Sequence, residues 1–136
     1  MSSAETASVI QFEWYAESIE DEADLAEDLA ALQQADPTAD LELVESKGIL
    51  PLLPFIFGAM GLALLAREIS DLVCRRRKRG MIIDARVSPL KIHKTKDLTG
   101  GTVLVIAKDG QSSQYSVCEG KMNLSDLIEA AAHAPG

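Results

Sequence analysis

The residues of this chain that could do chemistry are few and widely spaced. The sequence contains two histidines, His93 and His133, and two cysteines, Cys74 and Cys118. Their spacings do not match a zinc site, in which the ligands come in close pairs such as Cys-x-x-Cys. Residues 99–102 (TGGT) lack the lysine and the spacing of a phosphate-binding loop, so a plain turn is favoured there. We therefore predict no catalytic residue, no metal site and no cofactor.

The two cysteines also bear on the cellular compartment. Cys74 stands beside a run of basic residues, and Cys118 lies in a predicted strand. Two cysteines do not make a disulfide framework of the kind that holds small secreted domains together. A reducing compartment is consistent with both thiols.

A run of five cationic residues follows an uncharged apolar segment, Gly48–Ala66. This segment is about long enough to cross the hydrocarbon core of a bilayer. Cations beside a membrane segment stay on the cytoplasmic side and contact anionic lipid. Nucleic-acid binding is a weaker alternative, because that half of the chain is only mildly basic and has no aromatic interleaving. A dibasic protease site is the third alternative, and the position beside an apolar run favours lipid contact over both. The predicted lipid contacts are Arg75, Arg76, Arg77, Lys78 and Arg79.

Charge is distributed very unevenly about the apolar segment. The net charge of −8 divides into −12 for residues 1–47, none for residues 48–66 and +4 for residues 67–136. The amino terminus is acidic and lacks a basic region before an apolar one, so no cleavable signal peptide is predicted. We therefore predict a single-pass membrane protein with its amino terminus outside and its carboxy-terminal domain in the cytoplasm.

Small residues within the apolar segment predict a second kind of contact. Ala59, Ala63 and Ala66 share one face if the segment is helical, with Gly58 and Gly61 adjacent. Small side chains let membrane helices pack closely. We therefore predict a helix-association face at the three alanines and a homo-oligomer through the anchor. Ordinary small-residue content is the alternative.

The acidic amino-terminal segment carries an aromatic pair, Trp14 and Tyr15. Such segments are usually solvated, but aromatic residues are enriched at protein interfaces. Both residues are therefore candidate contacts for a protein partner that the sequence does not identify. We favour a helix over residues 8–34, and partial disorder stays open. The alternation of Ile10, Phe12 and Trp14 supports a short strand as the competing interpretation.

Prolines limit the helix in the apolar segment. Proline is tolerated only in the first turn of a helix, so a regular helix is expected to begin near Pro51. From there to Ala66 it would span about 24 Å, somewhat short of a hydrocarbon core of about 30 Å. A buried helix of a soluble assembly is the alternative. Apolar residues continue at helical spacing and predict a stalk: Leu62, Leu65, Ala66, Ile69, Leu72 and Val73.

The carboxy-terminal part has the pattern of a small β-β-β-β-α domain. Strands are predicted over residues 81–87, 90–94, 102–107 and 113–118, with a tight turn at Asp109-Gly110. Asn123 is the predicted cap of the final helix. The predicted core comprises Ile83, Val87, Leu104, Ile106, Val117, Leu127 and Ile128.

The sequence thus predicts an α+β chain in three parts. These are an acidic segment (1–47) that is helical or disordered, one transmembrane helix that extends into a stalk (48–79), and the small domain (80–136). The predicted function is that of a non-enzymatic, membrane-anchored adaptor or regulatory protein. One alternative is an effector whose anchors self-associate and breach the bilayer. Another is a soluble subunit with a buried apolar helix.

Overall fold

Ten elements lie in the part of the chain that the structure, a computed structural model, describes. That part comprises residues 9–15, 22–44, 55–76, 80–95, 97–118 and 123–132. The strands are β1 (Val9–Tyr15), β2 (Asp40–Val44), β3 (Phe55–Gly61), β4 (Gly80–Asp84), β5 (Leu90–Thr95), β6 (Thr102–Ile106) and β7 (Ser112–Ser116). The helices are α1 (Glu22–Ala35), α2 (Leu62–Arg76) and α3 (Leu124–Ala132). The predicted α+β class is confirmed.

All seven strands belong to one mixed sheet, in the order β2-β3-β1-β5-β4-β6-β7. β1 is antiparallel to β3 and parallel to β5. β4 and β6 are also parallel neighbours, whereas the other three pairs are antiparallel. The sheet therefore joins strands from all three predicted parts of the chain. This pairing differs from the predicted arrangement, in which a bilayer separates the amino terminus from the carboxy-terminal domain.

The amino-terminal segment contains both a strand and a helix. The prediction of a helix is confirmed for α1 and is wrong for Val9–Tyr15, which forms β1. Phe12 and Trp14 are fully buried in the core, so the competing strand interpretation holds there. Packing of the alternate apolar residues outweighs the weak helical preference of this stretch.

The predicted membrane helix is wrong for residues 55–61, which form strand β3. Aromatic and β-branched residues favour a strand. Ile56 and Met60 are buried, whereas Phe55 and Phe57, which alternate with them, are not fully buried. Gly58 permits a close approach at the centre of β3, because a Cβ there would lie 2.9 Å from the Phe12 ring. Residues 48–54 and 77–79 lie outside the described residues.

Helix α2 follows β3 and is amphipathic. The helical spacing predicted from Leu62 to Val73 is confirmed, because the six apolar residues of that stripe are buried. Arg67 and Asp71 lie on the exposed side of the helix. Among the helices of the described ranges, none has both the length and the apolarity of a membrane span. The stripe instead packs into the protein core.

The helices pack side by side on one face of the sheet. α2 contacts both α1 and α3, while α1 also contacts β2 and β3, and α3 contacts β6. Buried side chains of the helices and strands form one continuous core. The largest fully buried residues of this core include Trp14, Phe12, Leu32, Ile56, Met60, Leu65 and Ile69. Within the described residues, no helix covers the other face of the sheet.

The predicted β-β-β-β-α order of the carboxy-terminal part is confirmed. The Asn123 side-chain oxygen accepts hydrogen bonds from the backbone N–H groups of Ser125 and Asp126, at 3.1 and 3.4 Å, and so caps α3 as predicted. Ile83, Val117 and Ile128 are buried as expected.

The rest of the predicted carboxy-terminal core needs correction. Val87 is exposed, and Leu104, Ile106 and Leu127 are only half-buried. The reason in β6 is that Val103 and Val105 point toward the helices, so their neighbours point the other way. Because every residue of β6 after Thr102 is apolar, the sequence does not indicate which face of this strand enters the core.

A disulfide joins Cys74 of α2 to Cys118, two residues after β7. The expectation that both thiols are reduced is therefore corrected. The two cysteines are 44 residues apart, and only the fold brings the carboxyl ends of α2 and β7 together. The bridge ties the middle helix to the edge of the sheet.

Candidate protein-interaction surface

The face of the sheet opposite the helices is built from the alternate residues of each strand. Side chains along a strand point to opposite faces, so the neighbours of buried residues point away from the helices. Tyr15 follows buried Trp14, and His93 follows buried Ile92. The strand register places Tyr15 and His93 next to each other. We call this face the open face.

One row of side chains crosses six adjacent strands on the open face. Each member is the register partner of the next. At a strand separation of about 4.8 Å, the row spans about 24 Å. Every member is half-buried between its neighbours. We call it the apolar row, and its members are Val44, Phe55, Tyr15, His93, Ile82 and Leu104.

A second row lies two residues further along each strand and carries most of the charge of the open face. We call it the charged row, and its members are Glu42, Phe57, Glu13, Lys91, Asp84 and Ile106. Phe57 is one of three large apolar residues that are exposed among the described residues, at 36%. It extends the apolar surface from the first row into the second.

The centre of the open face is a cluster of Glu13, Tyr15 and Lys91. The Tyr15 hydroxyl donates a hydrogen bond to Glu13 Oε1 at 2.6 Å. Lys91 Nζ contacts the same carboxylate, lies 3.0 Å from the Tyr15 hydroxyl and sits 5.2 Å from the centre of the Tyr15 ring. The other side of the tyrosine stacks on Phe55, with ring centres 5.1 Å apart. Tyr15 is therefore fixed in place by its neighbours.

The pKa shifts of this cluster follow from these contacts. Hydrogen bonds from Lys91 and Tyr15 lower the pKa of Glu13. The hydrogen bond to Glu13 raises the pKa of Lys91. Burial, and then the bond to Glu13, raise the pKa of Tyr15. At neutral pH the cluster is thus an ion pair with a neutral tyrosine.

A second ion pair closes the charged row on the side of β4. Asp84 accepts two hydrogen bonds from the Arg86 guanidinium, Nε–Oδ1 at 3.0 Å and Nη2–Oδ2 at 2.8 Å. The hydrogen bond from Arg86 lowers the pKa of Asp84. Both central ion pairs of this face are therefore satisfied within the chain.

These shifts are the opposite of those that proton-transfer catalysis needs. A general acid or base works best with a pKa near the operating pH. Glu13 titrates lower than an ordinary glutamate, and Lys91 and Tyr15 titrate higher than ordinary residues of their types. Among the described residues there is also no group of three or more side chains that could hold a metal ion. The arrangement suits a fixed surface for recognition.

The structure separates the two predicted partner contacts, Trp14 and Tyr15. Trp14 has no exposed surface, so its prediction as a partner contact is wrong. Its indole N–H donates to Asp28 of α1 at 3.1 Å, and the same carboxylate forms an ion pair with Lys94 at 2.7 Å. Trp14 therefore helps to anchor α1 on the sheet. Tyr15 lies on the open face, where a partner can reach it.

The three alanines of the predicted helix-association face do not share a helix. Ala59 lies in β3 on the open face, whereas Ala63 and Ala66 lie in α2. Ala63 is exposed and Ala66 is buried at 4% exposure. The predicted face is not formed, because the chain changes from strand to helix after Gly61.

The basic cluster begins at the end of α2. Arg75 is exposed in the last turn, and Arg76 is the final residue of the helix. Arg77, Lys78 and Arg79 lie outside the described residues. Their predicted contact with lipid stays a prediction.

Sequence reasoning missed most of the open face. The alternation of Glu13 and Tyr15 with buried residues was a usable signal, and so was that of Lys91 and His93. Nothing in the sequence indicated that β1 and β5 are neighbours. No family model, curated protein or solved structure matches the chain.

Proposed function

We propose that this chain is a non-enzymatic adaptor domain that binds a protein partner on the open face of its sheet. The observation that carries the proposal is the apolar row, which crosses six strands on the face that no described helix covers. Contiguous exposed apolar surface rimmed by polar residues is typical of interaction sites.

The charges of the open face support a protein partner. The Glu13–Lys91 and Asp84–Arg86 pairs are already formed within the chain. Covering them leaves no single charge buried without its counter-ion, which would be costly. Asp40 and Glu42 at the β2 edge are exposed carboxylates. The partner is therefore an apolar surface with basic groups where it lies over β2.

Site-specific crosslinking tests this proposal. A photoreactive phenylalanine analogue at position 57 is placed on the open face, and the same analogue at position 129 is placed on the exposed side of α3. We expect position 57 to crosslink to a defined protein in expressing cells and position 129 not to do so. The mass of the product distinguishes a foreign partner from a second copy of this chain.

Once the partner is identified, its affinity is measured for a matched pair of substitutions in this chain. Phe57→Asp should weaken binding at least tenfold, as expected for an aromatic anchor near the centre of an interface. Glu129→Lys changes charge on the other side of the molecule and should leave affinity unchanged. Equal crosslinking from both positions, or full binding by Phe57→Asp, would overturn the proposal.

A second proposal is that the chain binds to the surface of a membrane. β1 finishes at Tyr15, and we call this end of the sheet the Tyr15 end. β2 finishes and β3 begins here, because Val44 and Phe55 are register partners. Gly80 at the start of β4 is also here, since it pairs with Thr95 at the end of β5.

In the sequence, residues 45–54, which include ILPLLP, come between Val44 and Phe55, and residues 77–79, which are RKR, come directly before Gly80. Apolar and cationic residues together are the pattern of contact with an anionic bilayer surface. Arg75, at the end of α2, belongs to the same basic cluster. This supports peripheral binding to anionic lipid as the second candidate function.

Co-sedimentation with vesicles tests the second proposal. We expect the chain to bind vesicles that contain phosphatidylserine more tightly than neutral vesicles. Arg75→Gln should weaken this binding about fivefold, because each cation near the surface contributes about 1 kcal/mol. Lys108→Gln is the control, since Lys108 lies at the opposite end of the sheet. Equal loss from both variants would show only a general charge effect and would contradict the proposal.

The effector hypothesis and the soluble-subunit hypothesis draw different support from the fold. The effector hypothesis required Ala59, Ala63 and Ala66 to share one helix face. They do not share one, because Ala59 lies in a strand. A soluble subunit with a buried apolar helix is supported by the packing of α2 against both α1 and α3. A protein that binds through its open face is compatible with such a subunit.

A further inference from the structure

A crevice opens at the end of the sheet opposite Tyr15, which we call the Val9 end. The parallel neighbours β4 and β6 both finish there, at the register partners Asp84 and Ile106. From β4 the chain turns to β5 on one side, and from β6 it turns to β7 on the other. Parallel strands whose connections diverge in this way leave a crevice beyond their carboxyl ends, where open α/β sheets commonly bind ligands.

A cleft of about 590 Å³ occupies this position. Its volume lies within the range of about 300–1,000 Å³ that is usual for small-molecule sites. Much of its lining is apolar, and Val9 and Val87 are 63% and 45% exposed. They are two of the three large apolar residues exposed among the described residues. The cleft therefore concentrates uncovered apolar surface at one place.

Two cations, Arg86 and Lys108, line the same cleft together with Gln11 and Ser88. The Arg86 charge is balanced by its two hydrogen bonds to Asp84. Among the described residues, none forms an ion pair with Lys108. Within the described ranges, the cleft thus carries one positive charge that no carboxylate balances, in a chain with a net charge of −8.

We infer that this cleft binds a small organic anion in which one carboxylate is joined to an apolar body. Lys108 contacts the carboxylate, and the side-chain amide of Gln11 and hydroxyl of Ser88 supply further hydrogen-bond donors. Val9 and Val87 cover the apolar body. A polyphosphate does not fit, because a single unbalanced cation cannot neutralise several negative charges. The lining includes Gln11 and Ala59, which point to the open face, but it contains no member of the apolar row or the charged row. The inference therefore does not rest on the proposed adaptor function.

The test uses the full chain and octanoate as the probe. Binding is followed by amide chemical shifts in a titration, with octanol and acetate as the two controls. Octanol lacks the charge and acetate lacks the apolar body. We expect octanoate to bind about tenfold more tightly than either, with shifts that cluster at residues 85–90 and 107–108. Raising the salt concentration should weaken the binding of octanoate and leave the binding of octanol unchanged.

Variants distinguish binding in the cleft from non-specific electrostatic or hydrophobic binding elsewhere on the protein. Lys108→Gln should weaken octanoate about five- to tenfold, as expected for the loss of a charge-assisted hydrogen bond. Val87→Ser should weaken octanoate and octanol alike. Arg67→Gln removes an exposed cation of α2 that does not line the cleft and should change nothing. Both altered cleft residues are on the surface, so we expect each variant to melt like the parent. Equal binding of octanoate and octanol, or full binding by Lys108→Gln, would overturn the inference.

Discussion

Glu13 is the carboxylate at the centre of the open face, where it contacts both Lys91 and Tyr15. Its folded-state pKa is lowered by Lys91 and Tyr15, and that of Asp84 is lowered by Arg86. Carboxylates with lowered pKa values stabilise the fold above their unfolded pKa and lose this contribution as the pH falls through the folded value. We therefore predict that the free energy of unfolding decreases on acidification below about pH 4.5.

Urea unfolding of the parent and of Glu13→Gln between pH 3 and pH 7 measures this contribution. The variant should be less stable than the parent at pH 7 and should lose less stability on acidification, because it has nothing to protonate at position 13. The Glu129→Gln variant removes an exposed carboxylate from α3 and should retain the parental dependence. A parental slope in Glu13→Gln would show that the Lys91 contact does not stabilise the fold.

Asp28 is the buried charge on which the docking of α1 depends. It is 1% exposed, accepts the Trp14 indole N–H and pairs with Lys94. Removing one partner of a buried ion pair leaves the other charge without compensation, at a cost of about 3–5 kcal/mol. We predict that Asp28→Ala destabilises the chain by about this amount, as measured by urea unfolding with Trp14 fluorescence.

The double variant Asp28→Ala/Lys94→Met isolates the charge effect. It removes the stranded ammonium, so its destabilisation should be clearly smaller than the sum of the two single effects. Simple additivity would mean that Asp28 acts by its packing and not by its charge.

At the scale of elements, the disulfide between Cys74 and Cys118 fixes α2 against the end of β7. A cross-link whose ends are 44 residues apart in the sequence constrains the unfolded chain and typically adds about 2–4 kcal/mol of stability. We predict that a reducing agent lowers the urea midpoint of the parent. The variant Cys74→Ser/Cys118→Ser should match the reduced parent and should not respond to the reductant. An unchanged parental midpoint would contradict a stabilising bridge.

The sequence predicted those elements whose signals are local. The turn at Asp109-Gly110 is realised with Gly110 at a φ of 93°, and Asn123 caps α3. β3 was missed because Phe55 and Phe57 face away from the helices, yet they are as apolar as the buried Ile56. An uncharged run without alternation looks like a membrane helix when the structure of its neighbours is unknown.

The candidate surface was the least predictable feature, because it depends on contacts between distant residues. Glu13 and Lys91 are 78 residues apart, and only the parallel pairing of β1 with β5 brings them together. Single-sequence patterns indicate which face of a strand is buried, but they do not indicate which strands are neighbours. For the same reason Trp14 was assigned to a partner and not to the core.

At the scale of the whole molecule, the position of β1 determines where the chain can be divided. The sequence predicted a separate small domain over residues 80–136, whereas β1 lies between β3 and β5 and so joins the two halves of the sheet. Without residues 1–79, β5 would become an edge strand that pairs only with β4. Leu90 and Ile92 would lose cover from the amino-terminal elements, and α3 would lose α2 as its neighbour.

We therefore predict that residues 80–136, expressed alone, show no cooperative thermal transition, while the full chain does. A fragment of about 57 residues is marginal in any case, since so small a chain buries little apolar surface. Adding residues 1–79 in trans should restore the near-ultraviolet circular dichroism of Trp14, because β1 can then pair with β5. The same addition with Phe12→Asp and Trp14→Asp should fail, since these side chains occupy the core beneath that pair. A cooperative melt of the isolated fragment would place the boundary at residue 80 after all and would make β1 an accessory to an already stable domain.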